Sequence, residues 1–444
     1  MKMYLCIDLK TFYASVECVE RNLDPFKTNL VVADPDRCTT TICLAISPKM
    51  KELGIKNRCR LFEIPKDVNY IMAKPRMQKY IDYSANVYAI YLKYIAKEDI
   101  HVYSIDEAFL DVTHYLSLYN MSATELAKKI MDDIYKTLGI TATAGVGTNL
   151  YLAKIALDII AKHEKTNIGY LDNELYISKL SHHEPLSDFW QIGKGIQKRL
   201  NKMGIFDMEG IRKANEKKLY KEFGINAELL IDHAYGNEPC TIDEIKKYKS
   251  KSNSISNGQI LSRNYSYEET KTVIREMIDL LSSDLIDKDL KAKLVGISVG
   301  YARGTLNPFG ASLKLDNPTN NCNDLTDNIL YLYEKGVSKD TPIRKVNITM
   351  GNLITFEMEQ LNLFKPSLTT EEKNLNNAIL SIKNKYGKSS VLKGINLKEE
   401  ATTKDRNTLI GGHNANWKSQ TIYALWCLKR LQRSFKRKRK NNSW

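Results

Sequence analysis

The stretch Ser104–Asp111 (Ser-Ile-Asp-Glu-Ala-Phe-Leu-Asp) sets two adjacent carboxylates, Asp106 and Glu107, where an apolar extended run is interrupted. His101 to Ile105 reads as one strand and Ala108 to Thr113 as another, so the acidic pair falls at a hairpin junction. Neighbouring side chains on a regular strand point to opposite faces, so both acids serve one site only if the backbone turns there. A solvated acidic turn is the ordinary reading of an Asp-Glu pair. Against it stands a third carboxylate, Asp8, at the end of the apolar run Met3 to Leu9.

The chain of 444 residues is too long for one simple core, and at ~150 residues per domain it divides into roughly three. Its formal net charge of +14 favours polyanionic partners, nucleic acid first, because bound lysine and arginine release condensed counterions. More than half of that excess lies in Lys429, Arg430, Arg433 and the run 436–440, which contain no acid. The eight cysteines form no Cys-x-x-Cys pair, which argues against a zinc site and a disulfide scaffold and for reduced thiols. Asp8 and Lys10 interrupt what would be the apolar region of a signal peptide, and no run approaches a membrane span. A cytoplasmic protein is expected.

Taken in order, Met3 to Leu9 reads as a strand and Phe12 to Val19 as a helix. Residues 25–75, broken by Pro25, Pro35, Pro48 and Pro65, suggest a mobile insertion with little core of its own. Arg76 to Ile95 returns to helical spacing, with a stripe of Tyr80, Tyr83, Val87, Tyr91 and Tyr94 assigned to packing. Ser122-Ala-Thr-Glu125 is a capping box, opening a helix that Gly139 ends. A strand over Ile140 to Val146 and a helix over Asn149 to Lys162 follow. The resulting order is that of a split β-α-β, ferredoxin-like sheet, in which the first strand neighbours the central hairpin and Asp8 can reach Asp106 and Glu107.

Short helices are expected over about 170–236, where Phe189-Trp-Gln-Ile-Gly-Lys-Gly-Ile196 reads as a helix-hairpin-helix. Gly193, Lys194, Gly195 and Lys198 are its candidate DNA contacts, weighed against a plain capped turn. The lysine-rich segment 237–253 reads as a linker. Residues 254–356 then repeat a β-α-β-β-α-β pattern without the acidic cluster, which suits binding rather than catalysis; Arg303, Lys314, Arg344 and Lys345 either face phosphates or lie on a solvated face. The remaining residues, 357–444, form a C-terminal extension with a short amphipathic piece, Gln360-Leu-Asn-Leu-Phe364. One more helix, Leu375 to Tyr386, and a glycine-rich close at Gly411-Gly412-His413 come next, ahead of the basic tail.

Three carboxylates on one sheet, beside lysines in a basic chain, suit metal-assisted phosphoryl transfer, with magnesium as the hard cation for oxygen ligands. Asp8-Leu-Lys-Thr-Phe-Tyr-Ala-Ser-Val-Glu17, Ser104 to Asp111, and Ala-Gly-Val-Gly-Thr-Asn149 with Leu-Ala-Lys154 resemble, in order and spacing, the Y-family (translesion) DNA polymerases, nearest their UmuC-like bacterial branch. The resemblance implies an α+β multidomain right hand: a ferredoxin-like palm (1–25 and 75–168), small fingers (26–74), a helical thumb (169–236) and a βαββαβ little finger (254–356). It implies DNA-templated addition of dNTPs to a primer 3′-hydroxyl, with Asp8, Asp106 and Glu107 catalytic and two Mg2+ ions held by them and the Leu9 carbonyl. By the same resemblance Tyr13 is the steric gate beneath the sugar, Leu9, Phe12 and Tyr13 line the nucleotide, and Lys51 and Lys162 hold the triphosphate. Gln360, Leu361, Leu363 and Phe364 resemble the peptide that binds the bacterial sliding clamp. Primer-template DNA, dNTP and that clamp are thus the expected partners, with accessory damage-response proteins left open. The competing reading is a non-catalytic DNA-binding repair factor docked on the clamp. A nucleotide cyclase, the third, gives no reason for the helix-hairpin-helix or the second α/β domain.

Overall fold

The computed structural model describes residues 2–34, 41–250, 253–355 and 370–415. Contacts divide the chain into two units, Met1–Tyr248 and Lys249–Trp444. In the first, strand β1 (Tyr4–Leu9) is apolar at nearly every position because it is the middle of a five-stranded sheet and both its faces are covered. The other sheet members are β5 (Ile100–Val102), β6 (Glu107–Asp111), β7 (Ala142–Gly147) and β8 (Ile168–Leu171), in the order β5-β6-β1-β7-β8. The hairpin and first strand are therefore neighbours, as the ferredoxin-like reading requires; β8, only four residues long and containing Gly169, was not foreseen.

The helix Ala123–Leu138 starts at the Ser122/Glu125 capping box and stops at Gly139 in the left-handed region. Its Leu126, Ala127, Ile130 and Ile134 are buried. In the helix Met77–Tyr94, Tyr80 and Tyr91 are buried, while the hydroxyls of Tyr83 and Tyr94 donate to Glu20 and Asp133, so the stripe is packing with polar tips. The helix expected to run unbroken from Asn149 to Lys162 is α-helical over Leu150–Ile155 and π-helical over Ala156–Ala161. Such one-turn widenings carry no sequence signature comparable to a cap.

The insertion corrects its expectation. Strands β2 (Leu30–Val32), β3 (Ala45–Ile46) and β4 (Ile71–Ala73) pair in the order β3-β2-β4, over a buried cluster that includes Val31, Cys43, Ile46, Met50, Cys59 and Ile64. Pro48 does not break structure here; it opens the helix Pro48–Glu52, which Ser47 caps and which carries Lys51. Within the segment read as a linker, Ile242–Lys247 is a helix with its own capping box, and Ile242 packs with Tyr4, Cys6 and Phe109. Helices between Asn173 and Ala234 bury Leu180, Leu186, Phe189, Leu200, Leu219 and Leu230 in a core shared with Tyr151 and Leu152.

In the second unit, β9 (Ser254–Tyr265), β10 (Leu290–Tyr301), β11 (Phe309–Thr319) and β12 (Ile343–Gly351) form an antiparallel sheet in the order β11-β10-β12-β9. The helices Tyr267–Asp287 and Cys322–Gly336 pack with it around one core, which is the βαββαβ order read from the sequence. Residues 370–415 are not a detached extension. Buried Glu276 accepts from Asn396 Nδ2 (2.8 Å) and Thr402 N (2.7 Å), which pins that segment to the first of these helices. Among the described residues no helix is long and apolar enough to cross a membrane.

Candidate active site

Asp8 lies directly opposite Glu107 on one side and Thr143 on the other, so its carboxylate and that of Glu107 share a sheet face. The expected strand His101 to Ile105 ends at Val102; Tyr103 N and Ser104 N both donate to Glu107 O (3.0 Å each), closing a turn that carries Asp106. Leu9 N donates to Asp106 O (2.9 Å), which ties the turn to the end of β1, and Ser104 Oγ holds Asp106 Oδ1 at 2.6 Å. The turn thus does what a regular strand cannot, bringing consecutive acids to one end of the sheet. Asp111 stays apart from them: its Oδ1 accepts from Thr113 N at 3.0 Å.

Burial, then the charges of Asp106 and Glu107, push the Asp8 carboxyl up to about 7, with Lys162 and Lys154 opposing. Glu107 Oε1 accepts from Lys154 Nζ (2.7 Å) and Cys6 Sγ (3.1 Å). Lys154 also reaches Asp158 (3.0 Å), whose other oxygen takes Lys162 (2.9 Å). Among the described residues no three His, Cys, Asp or Glu side chains are gathered tightly enough to hold an ion, and Glu107 is paired with its lysine. The donor set nevertheless fits a hard divalent cation: it is all oxygen, and the crowding that raises Asp8 is the repulsion a cation relieves.

Lys51 and Lys162 come from different parts of the chain and meet beside Asp8. Partial desolvation first, then the charges of Lys162 and Lys10, lower the pKa of Lys51, with Asp8 opposing. Lys10 itself donates to Asn167. Two residues after β1, Thr11 turns the chain in the left-handed region (φ 45°), unusual for a β-branched residue, and the helix Phe12–Val19 starts there. Buried Leu9 and Phe12 anchor the turn, while half-buried Tyr13 stacks on Tyr80 with ring centroids 4.4 Å apart. Burial, then Asp106, raise the Tyr13 phenol's pKa, with Arg58 opposing.

Gly193 caps the helix Lys194–Lys202, where Lys194, Gln197, Lys198, Asn201 and Lys202 line a surface pocket of about 390 Å³. A Cβ added at Gly193 or Gly195 would meet nothing within 4 Å, so that helix start is open to a ligand. Gln360, Leu361, Leu363, Phe364 and the basic tail lie outside the described residues. Sequence reasoning passed over Cys6 and Asp158, assigned Tyr80 to packing alone, and gave Glu17 and Lys154 no role at the site. The spacing of Lys154, Asp158 and Lys162, four residues apart each time, was the one available signal.

Residues 7–158 match the impB/mucB/samB family and residues 252–363 match that family's C-terminal domain. Over 93% of this chain and 98% of theirs, two proteins of Bacillus subtilis (strain 168) are similar to it. The putative UV-damage repair protein UvrX is 32% identical and DNA polymerase IV 2 is 30% identical. The chain belongs to the Y-family of translesion DNA polymerases. A solved Y-family DNA polymerase chimera shares its fold, with a TM-score of 0.62 and 22% identity over 80% of this chain and 99% of the other. The polymerase is therefore DNA-directed, acts on DNA and dNTPs, and shares its family's dependence on a divalent metal. That assignment displaces the non-catalytic repair factor as a reading of the chain.

Proposed function

We propose that this translesion polymerase adds dNTPs to a primer 3′-hydroxyl by two-metal-ion nucleotidyl transfer, with Asp8, Asp106 and Glu107 as its catalytic carboxylates. The observation that carries the reading is the placement of Asp8, Asp106 and Glu107 at one end of the sheet, with the Asp8 carboxyl raised by its two neighbours. Two magnesium ions, when bound, supply Lewis-acid stabilisation to the entering hydroxyl and the leaving pyrophosphate. Asp8, Asp106 and the Leu9 carbonyl would hold them, joined by Glu107 once it leaves Lys154. Lys51 and Lys162, crowded against each other beside Asp8, take the triphosphate, and the first-turn amides at Phe12 and Tyr13 add donors for its oxygens. Tyr13 lies beneath the incoming sugar and excludes a 2′-hydroxyl.

In this reading 1–25 and 75–168 are the palm, 26–74 the fingers, 169–236 the thumb and 254–356 the little finger. Of the linker 237–253, only the part after the helix Ile242–Lys247 serves as a connection. Gly193, Lys194, Gly195 and Lys198 grip a DNA phosphate backbone, which the acid-free pocket on that helix supports. Gln360 to Phe364 docks on the bacterial sliding clamp, and the enzyme works in the cytoplasm. Asp106→Ala is expected to keep primer-template affinity and lose nucleotide addition by at least about a thousandfold. Substantial magnesium-dependent extension by that variant would sink the assignment.

A further inference from the structure

A nucleic-acid strand gripped at one point and reacting at another needs the distance between the two points fixed, because a misplacement of about 1 Å at the reacting atoms can cost about a hundredfold. In this chain the two points are the helix start at Gly193 and the turn that carries Asp106. Trp190 joins them. Three residues before Gly193, it packs against the core of the helices between Asn173 and Ala234 and also against the cluster that holds Tyr4, Cys6 and Phe109 of β1 and β6. Its indole Nε1 donates to the Tyr103 hydroxyl at 3.1 Å, across 87 residues of sequence.

Both ends of that link are held. Tyr103 belongs to the turn itself: its N–H donates to Glu107 O at 3.0 Å, and its ring meets Phe109 edge-on, with centroids 5.7 Å apart. Phe109 is buried on β6, two residues after Glu107, and its ring lies 5.9 Å from that of Trp190. Tyr103 is also 5.9 Å from Trp190, so the three rings contact one another pairwise. From the helix Asn226–Ala234, buried His233 stacks on Trp190 (6.3 Å, 16°) and on Tyr151 (3.8 Å, 16°), with its Nε2 3.1 Å from Glu238 Oε2. Toward Gly193 the chain is fixed as well, since Gln191 takes the left-handed region (φ 69°) and Ile192 is buried. An indole has a single donor, and here it is committed to the acidic turn rather than to water, although Tyr103 is 47% exposed.

We infer that Trp190 and Tyr103 are positioning residues that lock the acidic turn to the DNA-gripping hairpin, so that a primer strand held at Gly193 to Lys198 presents its 3′-hydroxyl at a set distance from Asp106. The inference rests on the proposed reading of that hairpin and of the carboxylates. It is tested in the full-length enzyme by single-nucleotide insertion on two primers of one sequence, the first with ordinary linkages and the second with neutral methylphosphonates behind its terminal linkage. Trp190→Phe and Tyr103→Phe keep aromatic rings in place and lose the hydrogen bond. Each is expected to lower kcat at least about fivefold on the ordinary primer, with the KM for primer-template changed less than about twofold. The double variant should fall no further than either single one. Neutral linkages should slow the parent and bring it level with the variants, because a strand the hairpin does not hold gains nothing from the lock. Tyr103→Phe, at an exposed position, carries the test if Trp190→Phe does not fold. Parental kcat in the variants overturns the inference while leaving the hairpin standing. Equal losses on both primers overturn it too, by reducing the pair to a structural role. A parent insensitive to the neutral linkages removes the hairpin reading itself and takes the inference with it.

Discussion

Asp8 carries the electrostatic cost of the candidate site. Its carboxyl, ordinarily near 3.8, is raised to about 7 by burial and by Asp106 and Glu107, so the folded protein holds a proton there that the unfolded chain releases. The sign follows: the Asp8 contribution to stability is greatest below about pH 4 and is lost as pH rises to about 7, by at most about 4 kcal/mol. In chelator above pH 7, Asp8→Asn should therefore melt higher than the parent, and the gap should close near pH 4. Magnesium should raise the parent's melting temperature at pH 8 and barely move that of the variant. Parallel melting curves across pH for the two proteins would refute the charge-crowding account. These carboxylates were legible in the sequence because a turn and two strand ends betray them. The Tyr80 hydroxyl donates to Glu17 Oε1 at 2.8 Å, and that pair was not legible, since nothing in the spacing of Glu17 and Tyr80 announces that they meet.

The Ala-Gly-Val-Gly strand shows how an element, rather than a residue, positions the chemistry. A Cβ at Gly145 would lie 2.0 Å from Ala153 O, and one at Gly147 would lie 2.2 Å from Ala153 N. The helix Leu150–Ile155 is thus pressed against β7 backbone to backbone, which brings Lys154 to Glu107. Gly145→Ala cannot be absorbed by a side-chain movement and should cost upwards of about 3 kcal/mol, measured by chemical denaturation. Gly193→Ala, where the same atom meets nothing within 4 Å and φ is −82°, should lose no more than about 1 kcal/mol, the preference for glycine over alanine at a helix N-cap. Equal losses at the two positions would contradict the close-approach argument. Elements with caps or strong periodicity, such as Ala123–Leu138 and the whole β9 to β12 unit, were readable from sequence. Four-residue β8, the π-helical turn and the insertion's core were not, because short pairings and small buried residues leave little periodicity to detect.

At the scale of the whole chain, DNA affinity and clamp affinity draw on different physics and should separate cleanly. The formal +14 charge favours DNA through counterion release, which is salt-sensitive and spread over many residues. Gln360 to Phe364 contains no basic residue; its Leu361, Leu363 and Phe364 offer apolar surface worth about 1.5–3 kcal/mol each when fully buried. After the entropy of ordering a short peptide is subtracted, such a contact yields a dissociation constant on the order of micromolar. Deleting residues 360–364 should then weaken binding to a bacterial sliding clamp by at least about tenfold, since most of that apolar surface is gone. The same deletion should leave the salt dependence of primer-template binding unchanged, along with single-nucleotide insertion in the absence of clamp. Titration of the clamp by calorimetry, beside DNA binding at two salt concentrations, decides the matter. Undiminished clamp affinity would show that the docking surface lies elsewhere, and a changed salt slope would show that the segment acts through DNA instead.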